Sequence, residues 1–125
     1  MINKINKYRP GLLLIILITI INLNSCVKPD DAPRLEITVM NEAEEVVTDA
    51  YVSLYENIDE WGMQNNPVQV WKKTNAEGKV TFIGLREIVY YFVIKKDQLD
   101  NSGTQVSLDN KLKMNEFVKI AVEIK

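Results

Sequence analysis

The chain has 125 residues, with 15 Lys and Arg, 17 Asp and Glu, no histidine and one cysteine, for a formal net charge of −2. That length holds one domain, and an acidic balance argues against nucleic acid or an anionic membrane surface as partner, since both are met by basic patches. A lone cysteine excludes an intrachain disulfide, and the absence of histidine removes the commonest general base and a principal transition-metal ligand.

Lys4, Lys7 and Arg9 make a positive start, and Gly11 to Ile21 is apolar except for Thr19. A basic n-region followed by a short apolar h-region is the layout of a secretory signal. A spanning helix needs about 20 apolar residues, and Asn22 and Asn24 end this run short of that; a plain N-terminal anchor is the alternative. Ser25 is the small residue at the cleavage position, directly before Cys26. Leu23-Asn24-Ser25-Cys26 resembles the bacterial lipobox, with Asn24 an unusual residue at its tolerant position. The resemblance implies cleavage after Ser25 and a diacylglyceryl group on the Cys26 sulfur, often with acylation of its amine. Each buried methylene contributes about 0.8 kcal/mol, so two or more chains hold firmly where one is marginal. A free or intermolecularly paired thiol is the other reading of a lone cysteine.

Removing residues 1–25 leaves 100 residues carrying 12 basic and 17 acidic side chains, a net charge of −5. Val27 to Pro33 follows as a tether: Pro29 and Pro33 favour extended neighbours, and from Cys26 to Arg34 it reaches roughly 25 Å at about 3.3 Å per residue. Lys28, Asp30 and Asp31 after the cysteine resemble the lipoprotein export signal of Bacteroidetes. That resemblance implies an outer-membrane, lipid-anchored protein on the cell surface; a simple hydrophilic spacer is the alternative.

From Arg34 the pattern is that of strands. Leu35-Glu36-Ile37-Thr38-Val39 alternates apolar and polar, as a strand with one buried face should. After a polar turn over Asn41 to Glu45, Val46 and Val47 resume the apolar pattern. Ala50, Val52 and Leu54 then alternate with Tyr51, Ser53 and Tyr55 in a second strand. Asn57 to Pro67 reads as the longest irregular stretch. A third strand is expected from Val68 to Lys73, with Val68, Val70 and Lys72 on one face and Gln69, Trp71 and Lys73 on the other. Thr74 to Val80 is a tight turn in which Gly78 is free to take positive φ. Val80 and Phe82 mark a fourth strand and Ile88 to Ile94 a fifth, rich in β-branched and aromatic residues. Asp97 to Gly103 reads as a loop, Val106, Leu108 and Leu112 as a weaker strand, and Phe117 to Ile124 as the last. No helix-period segment is found after Cys26. Seven short strands separated by turns predict an all-β fold, a single seven-stranded immunoglobulin-like or transthyretin-like β-sandwich over residues 34–125, preceded by the signal peptide (1–25) and the lipidated tether (26–33).

Val46-Val47-Thr48-Asp49-Ala50-Tyr51-Val52-Ser53-Leu54-Tyr55 resembles the opening of carboxypeptidase regulatory-like domains, relatives of the transthyretin-like and Cna-B-like sandwiches. Thr74 to Leu85 is similar to their second hallmark, T-x-x-x-G-x-x-x-F-x-x-L, and Tyr90-Tyr91 stands where they carry Y-x-V. Val46 replaces a usual proline and Asp49 a usual glycine. The residues have structural reasons: Ala50 allows close strand packing, Gly78 makes the hairpin, and Phe82 and Leu85 plug the end of the sandwich. The resemblance implies a fold, not a reaction.

No enzyme, cofactor or metal site is expected. Glu42, Glu44, Glu45 and Asp49, and Asp59-Glu60, offer oxygens but not the spacing of a calcium loop, and they read as solvated turns. Some Cna-B-like domains form a Lys–Asn bond, but the first strand here has Arg34 and no lysine. Trp61, Asn65 and Asn66, with Tyr55, form the candidate ligand set, because an aromatic beside amides can stack on and hydrogen-bond a sugar. The competing expectation has Trp71 covering the sandwich edge and Trp61 folding back over its own loop. The expected partners are the membrane, through lipid on Cys26, and an envelope protein or a glycan.

Overall fold

The computed structural model describes residues 31–69 and 71–125. The expected signal peptide over 1–25, with Ser25, Cys26, Lys28 and Asp30, lies outside the described residues. Asp31 lies inside them, and its carbonyl accepts from the Asn115 N–H at 2.7 Å, beside the entry to the first strand.

The alternation from Arg34 becomes β1 (Arg34–Met40), in which Leu35, Ile37 and Val39 have no exposed surface. The strands that follow are β2 (Tyr51–Tyr55), β3 (Lys72–Lys73), β4 (Lys79–Phe82), β5 (Tyr91–Lys96), β6 (Leu99–Asp100) and β7 (Phe117–Glu123). They form a three-stranded sheet in the order β4-β1-β7 and a four-stranded sheet in the order β3-β2-β5-β6. β1 is antiparallel to β4 but parallel to β7, so the first and last strands of the domain lie side by side. The core fills the space between the sheets: Leu35, Ile37, Val39, Val80, Phe82 and Val122 from one side, and Val52, Leu54, Phe92 and Ile94 from the other. The chain is an all-β, two-sheet sandwich.

Both hallmark stretches do what their residues require. Gly78 has φ +74°, and a Cβ there would stand 2.8 Å from the Val46 Cβ, so the turn before β4 is closed to any other residue without displacement. Asp49, where glycine is usual, also has positive φ (59°), a conformation that aspartate tolerates better than most side chains. Ala50 is sealed against Thr74, whose hydroxyl accepts from the Ala50 N–H at 2.9 Å and donates to the Val47 carbonyl at 2.6 Å. Phe82 and Leu85 are buried at the end of the sandwich.

Several expected elements differ. The third strand is confined to Lys72–Lys73, because register Val52↔Lys72 would place residue 70 opposite Leu54, whereas Val68 N–H donates to the Leu54 carbonyl. The ladder therefore accommodates two extra residues just before β3. Lys72 does not enter the core: its Nζ donates to the Thr81 carbonyl at 2.9 Å and sits 5.2 Å from the Phe82 ring centroid, closing the side between β3 and β4. The fifth strand starts at Tyr91 rather than Ile88, since Tyr90 turns inward and its hydroxyl accepts from the Arg86 N–H at 2.8 Å. The expected strand through Val106, Leu108 and Leu112 is only a single bridge, Tyr91↔Ser107, flanked by backbone bonds to Phe92, Tyr90 and Ile88. β6 arises instead inside the expected loop over Asp97 to Gly103.

The stretch expected to be irregular from Asn57 contains a helix, α1 (Ile58–Met63). Asn57 caps it, its Oδ1 accepting from Glu60 N–H at 2.9 Å while its Nδ2 donates to Glu60 Oε1 at 2.8 Å. Asn57 is thus an N-cap whose side chain also grips Glu60, and Asp59 and Glu60 in the first turn sit favourably to the helix dipole.

Candidate functional site

Along β2 the side chains alternate across the second sheet. Val52 and Leu54 enter the core, and Tyr51, Ser53 and Tyr55 face outward, registered on β5 against Lys95, Val93 and Tyr91. α1 packs over one half of this outer face and leaves the other half open.

In the covered half, Trp61 lies on the sheet. Its indole Nε1 donates to the Phe92 carbonyl at 3.0 Å, and its ring meets Tyr91 at a centroid distance of 6.4 Å. The expected fold-back of Trp61 is thus onto β5, not over its own loop. Tyr55 has no exposed surface, so this member of the candidate ligand set is removed from any surface a ligand reaches. The hydroxyls of Tyr55 and Ser53 are buried with no hydrogen-bond partner. Asn65 and Asn66 are exposed on the turn after α1, with Asn66 at φ 53°. They do not line the concavity beside Trp61, which Gly62, Gln64, Val93, Lys95 and Ser102 help to form.

Asn101 forms the floor beneath that concavity. It is 3% exposed, accepts from the Ile94 N–H at 2.9 Å, and donates to the carbonyls of Phe92 (3.1 Å) and Gln105 (2.8 Å). Next to it, the Ser102 hydroxyl and then the Ser102 N–H, at 2.6 and 2.8 Å, hold the Asp100 carboxyl below its ordinary range. Burial pushes the Tyr90 phenol up, partly offset by the Arg86 N–H that it accepts.

The open half carries the exposed aromatics, Tyr51 at 45% and Trp71 at 38%. Their rings meet edge to face, 6.3 Å apart at 80°. Lys73, opposite Tyr51 in the β2–β3 register, places its Nζ 5.0 Å from the Tyr51 ring centroid. Lys95, opposite Tyr51 on β5, donates to Gln64 Oε1 at 3.2 Å. Among the described residues the ion pairs within 4 Å are Lys79–Glu36 and Arg86–Glu56, so neither Lys73 nor Lys95 is paired. Sequence reasoning set Trp71 at the sandwich edge but missed its partner Tyr51, twenty positions earlier. The only sequence signal was that both sit on polar-facing positions of adjacent strands.

The backbone of the turn after β1 is organised by Asn41, whose Oδ1 accepts from the N–H groups of Ala43 and Glu45 while its Nδ2 donates to Glu45 Oε1. Among the described residues no three His, Cys, Asp or Glu side chains converge on a point. The inward side chains of β1 are aliphatic, which leaves no amine there for a Lys–Asn bond.

The chain matches no protein-family model, and no curated protein is significantly similar to it. Among solved structures, it superposes on the Bacillus anthracis TIE protein with a TM-score of 0.53 and 21% identity, covering 75% of this chain and 16% of that one. The group B streptococcus pilus 2b backbone protein superposes with a TM-score of 0.49 and 22% identity, over 73% and 40% of the two chains. Catechol 1,2-dioxygenase from Pseudomonas arvilla C-1 gives 0.41 and 10%, over 79% and 54%. The first of these similarities concerns fold: both chains contain the two-sheet sandwich, and this chain spans a small part of the larger protein.

Proposed function

We propose that this chain is a non-catalytic module of a bacterial cell envelope, anchored in the outer membrane by lipid on Cys26 and displayed at the cell surface to bind a partner. It stands on one observation: among the described residues the polar groups of the interior are either bonded within the fold or sealed from solvent, while an aromatic–lysine face is left exposed. Thr74 and Asn101 hydrogen-bond backbone, and the Ser53 and Tyr55 hydroxyls are sealed from solvent. Thr74 and Asn101, hydrogen-bonded within the interior, serve the fold, whereas Tyr51, Trp71, Lys73 and Lys95 serve no core. The anchor reading comes from the basic start, the apolar run and Cys26 at its end. The tether then reaches β1 without a further domain between.

Fractionation of cells carrying the full chain or its Cys26→Ser variant tests the anchor. Wild-type protein is expected in the membrane fraction and to be shaved by protease from intact cells. Cys26→Ser is expected to leave the membrane fraction. Equal membrane retention of both would refute lipid anchoring, and protection of the wild type in intact cells would place the module on the inner side.

A further inference from the structure

We propose that the corner formed by Tyr51, Trp71 and Lys95 binds an acidic glycan, one sugar ring packing its C–H face on the aromatic rings while Lys95 and Lys73 hold its carboxylate. This rests on the reading of the chain as a surface binding module and names the ligand class of its open face.

The aromatic part follows from geometry. Two rings meeting at 80° make an inside corner, one wall a ring face and the other a ring edge. The space bounded by Tyr51, Trp71 and Lys95 is about 350 Å³, and the cleft beside Trp61 adds a second of about 190 Å³ that also touches Lys95. Ligand sites for small molecules run from roughly 300 to 1,000 Å³, so the corner suits one ring with a neighbour in the cleft. A stable protein interface takes about 800 Å² from each partner, far more than three side chains offer. The second cleft, walled by Trp61, is lined by Gln64, Asp100 and Ser102, whose polar side chains can hydrogen-bond the hydroxyls of a neighbouring sugar ring.

The acidic part follows from charge. Lys73 and Lys95 flank Tyr51 on its two neighbouring strands, and neither has a carboxylate within 4 Å among the described residues. Asp100, opposite Lys95 in the β5–β6 register, feels the Lys95 charge but is hydrogen-bonded by Ser102, with no ion pair to Lys95 within 4 Å. A neutral sugar would leave this pair of cations unanswered. A dense polyanion would meet a domain whose net charge after Cys26 is −5. A carboxylate carried on a sugar ring fits both constraints.

The test uses the full chain in detergent micelles, titrated with uronic- and sialic-acid oligosaccharides, among them tri-galacturonic acid, and with neutral galactotriose. Tryptophan fluorescence and calorimetry follow binding. Saturable binding of an acidic oligosaccharide is expected, weakened about tenfold or more by Trp71→Ala, by Lys95→Gln and in the neutral counterpart, with Lys95→Arg retaining it. High salt should weaken it as well, because the pair is exposed. Thermal melts of Trp71→Ala check folding, and Lys95→Gln, at an exposed position, supplies the second variant. No binding across the acidic panel, equal affinity for the neutral sugar, or affinity untouched by both variants would overturn the proposal. A Trp71-dependent cross-link to a protein on intact cells, without sugar binding, would also overturn it. None of these results bears on Cys26, so the anchored-module reading stands or falls separately by fractionation.

Discussion

Replacing Asn101 with alanine removes three hydrogen bonds to the backbone from a side chain that is 3% exposed. The consequences are unequal. The Phe92 carbonyl keeps a donor, the Trp61 indole at 3.0 Å, while the Ile94 N–H and the Gln105 carbonyl lose the Asn101 partner. A buried group left without a partner costs about 1–3 kcal/mol. With Ile94 fully buried and Gln105 partly so, the loss should come to about 3 kcal/mol. That is a large share of the roughly 5–15 kcal/mol that holds a domain folded. Urea unfolding followed by tryptophan fluorescence should therefore show the midpoint falling by about 1–3 M, given slopes of about 1–3 kcal/mol/M. Adding Trp61→Phe should cost more than the two single changes together by about 1 kcal/mol, because only then does the Phe92 carbonyl lose both donors. A midpoint within about 0.3 M of wild type would refute the assignment of Asn101 as the pin between β5 and the loop after β6.

Gly78→Ala should destabilise by about 2 kcal/mol, lowering the melting temperature by roughly 10 °C, through positive φ and the approach to Val46. Combining it with Val46→Gly, which removes the Cβ that the new methyl would meet at 2.8 Å, should recover the part due to that contact, and no recovery would mean that backbone strain and the neighbouring backbone atoms are responsible. Tyr55→Phe removes a buried hydroxyl that has no partner and should be neutral or stabilising by up to about 1 kcal/mol; a loss above about 1 kcal/mol would show that the hydroxyl is paired. Tyr90, whose pKa is raised in the fold chiefly by burial, contributes stability that is present below the ordinary phenol range and lost as pH rises through its own raised value. Tyr90→Phe should flatten that alkaline loss while costing about 1 kcal/mol at neutral pH through the bond from Arg86; an unchanged alkaline limb would assign the loss to other groups.

Much of the sandwich was legible because local pattern and global packing agree there. Leu35, Ile37 and Val39 alternate in sequence and are buried together, and Gly78 announces a turn that only glycine fits. The start of β5 was not legible, because Tyr90 and Val89 look like strand residues while Tyr90 is drawn inward by the core and by Arg86. α1 was missed through its brevity: six residues show no full apolar period, though Asn57 with Glu60 three positions later was a readable N-terminus signature. β6 is held by pairing with β5 across the two-residue turn at Asp97 and Gln98, and a two-residue strand carries no alternation to advertise it. Of the candidate ligand set, Trp61 is placed against β5 by a single indole hydrogen bond, and Tyr55 is buried under α1. The open aromatic corner depends on the β2–β3 register and on the extra residues before β3, neither of which periodicity reports.

We propose that this sandwich is held at a membrane by lipid on Cys26. The most direct test is the mass of the N-terminal peptide of protein isolated from the envelope. A peptide beginning at Cys26 and carrying a diacylglyceryl group is the predicted result. An unmodified Cys26 in a peptide that still contains residues 1–25 would contradict it.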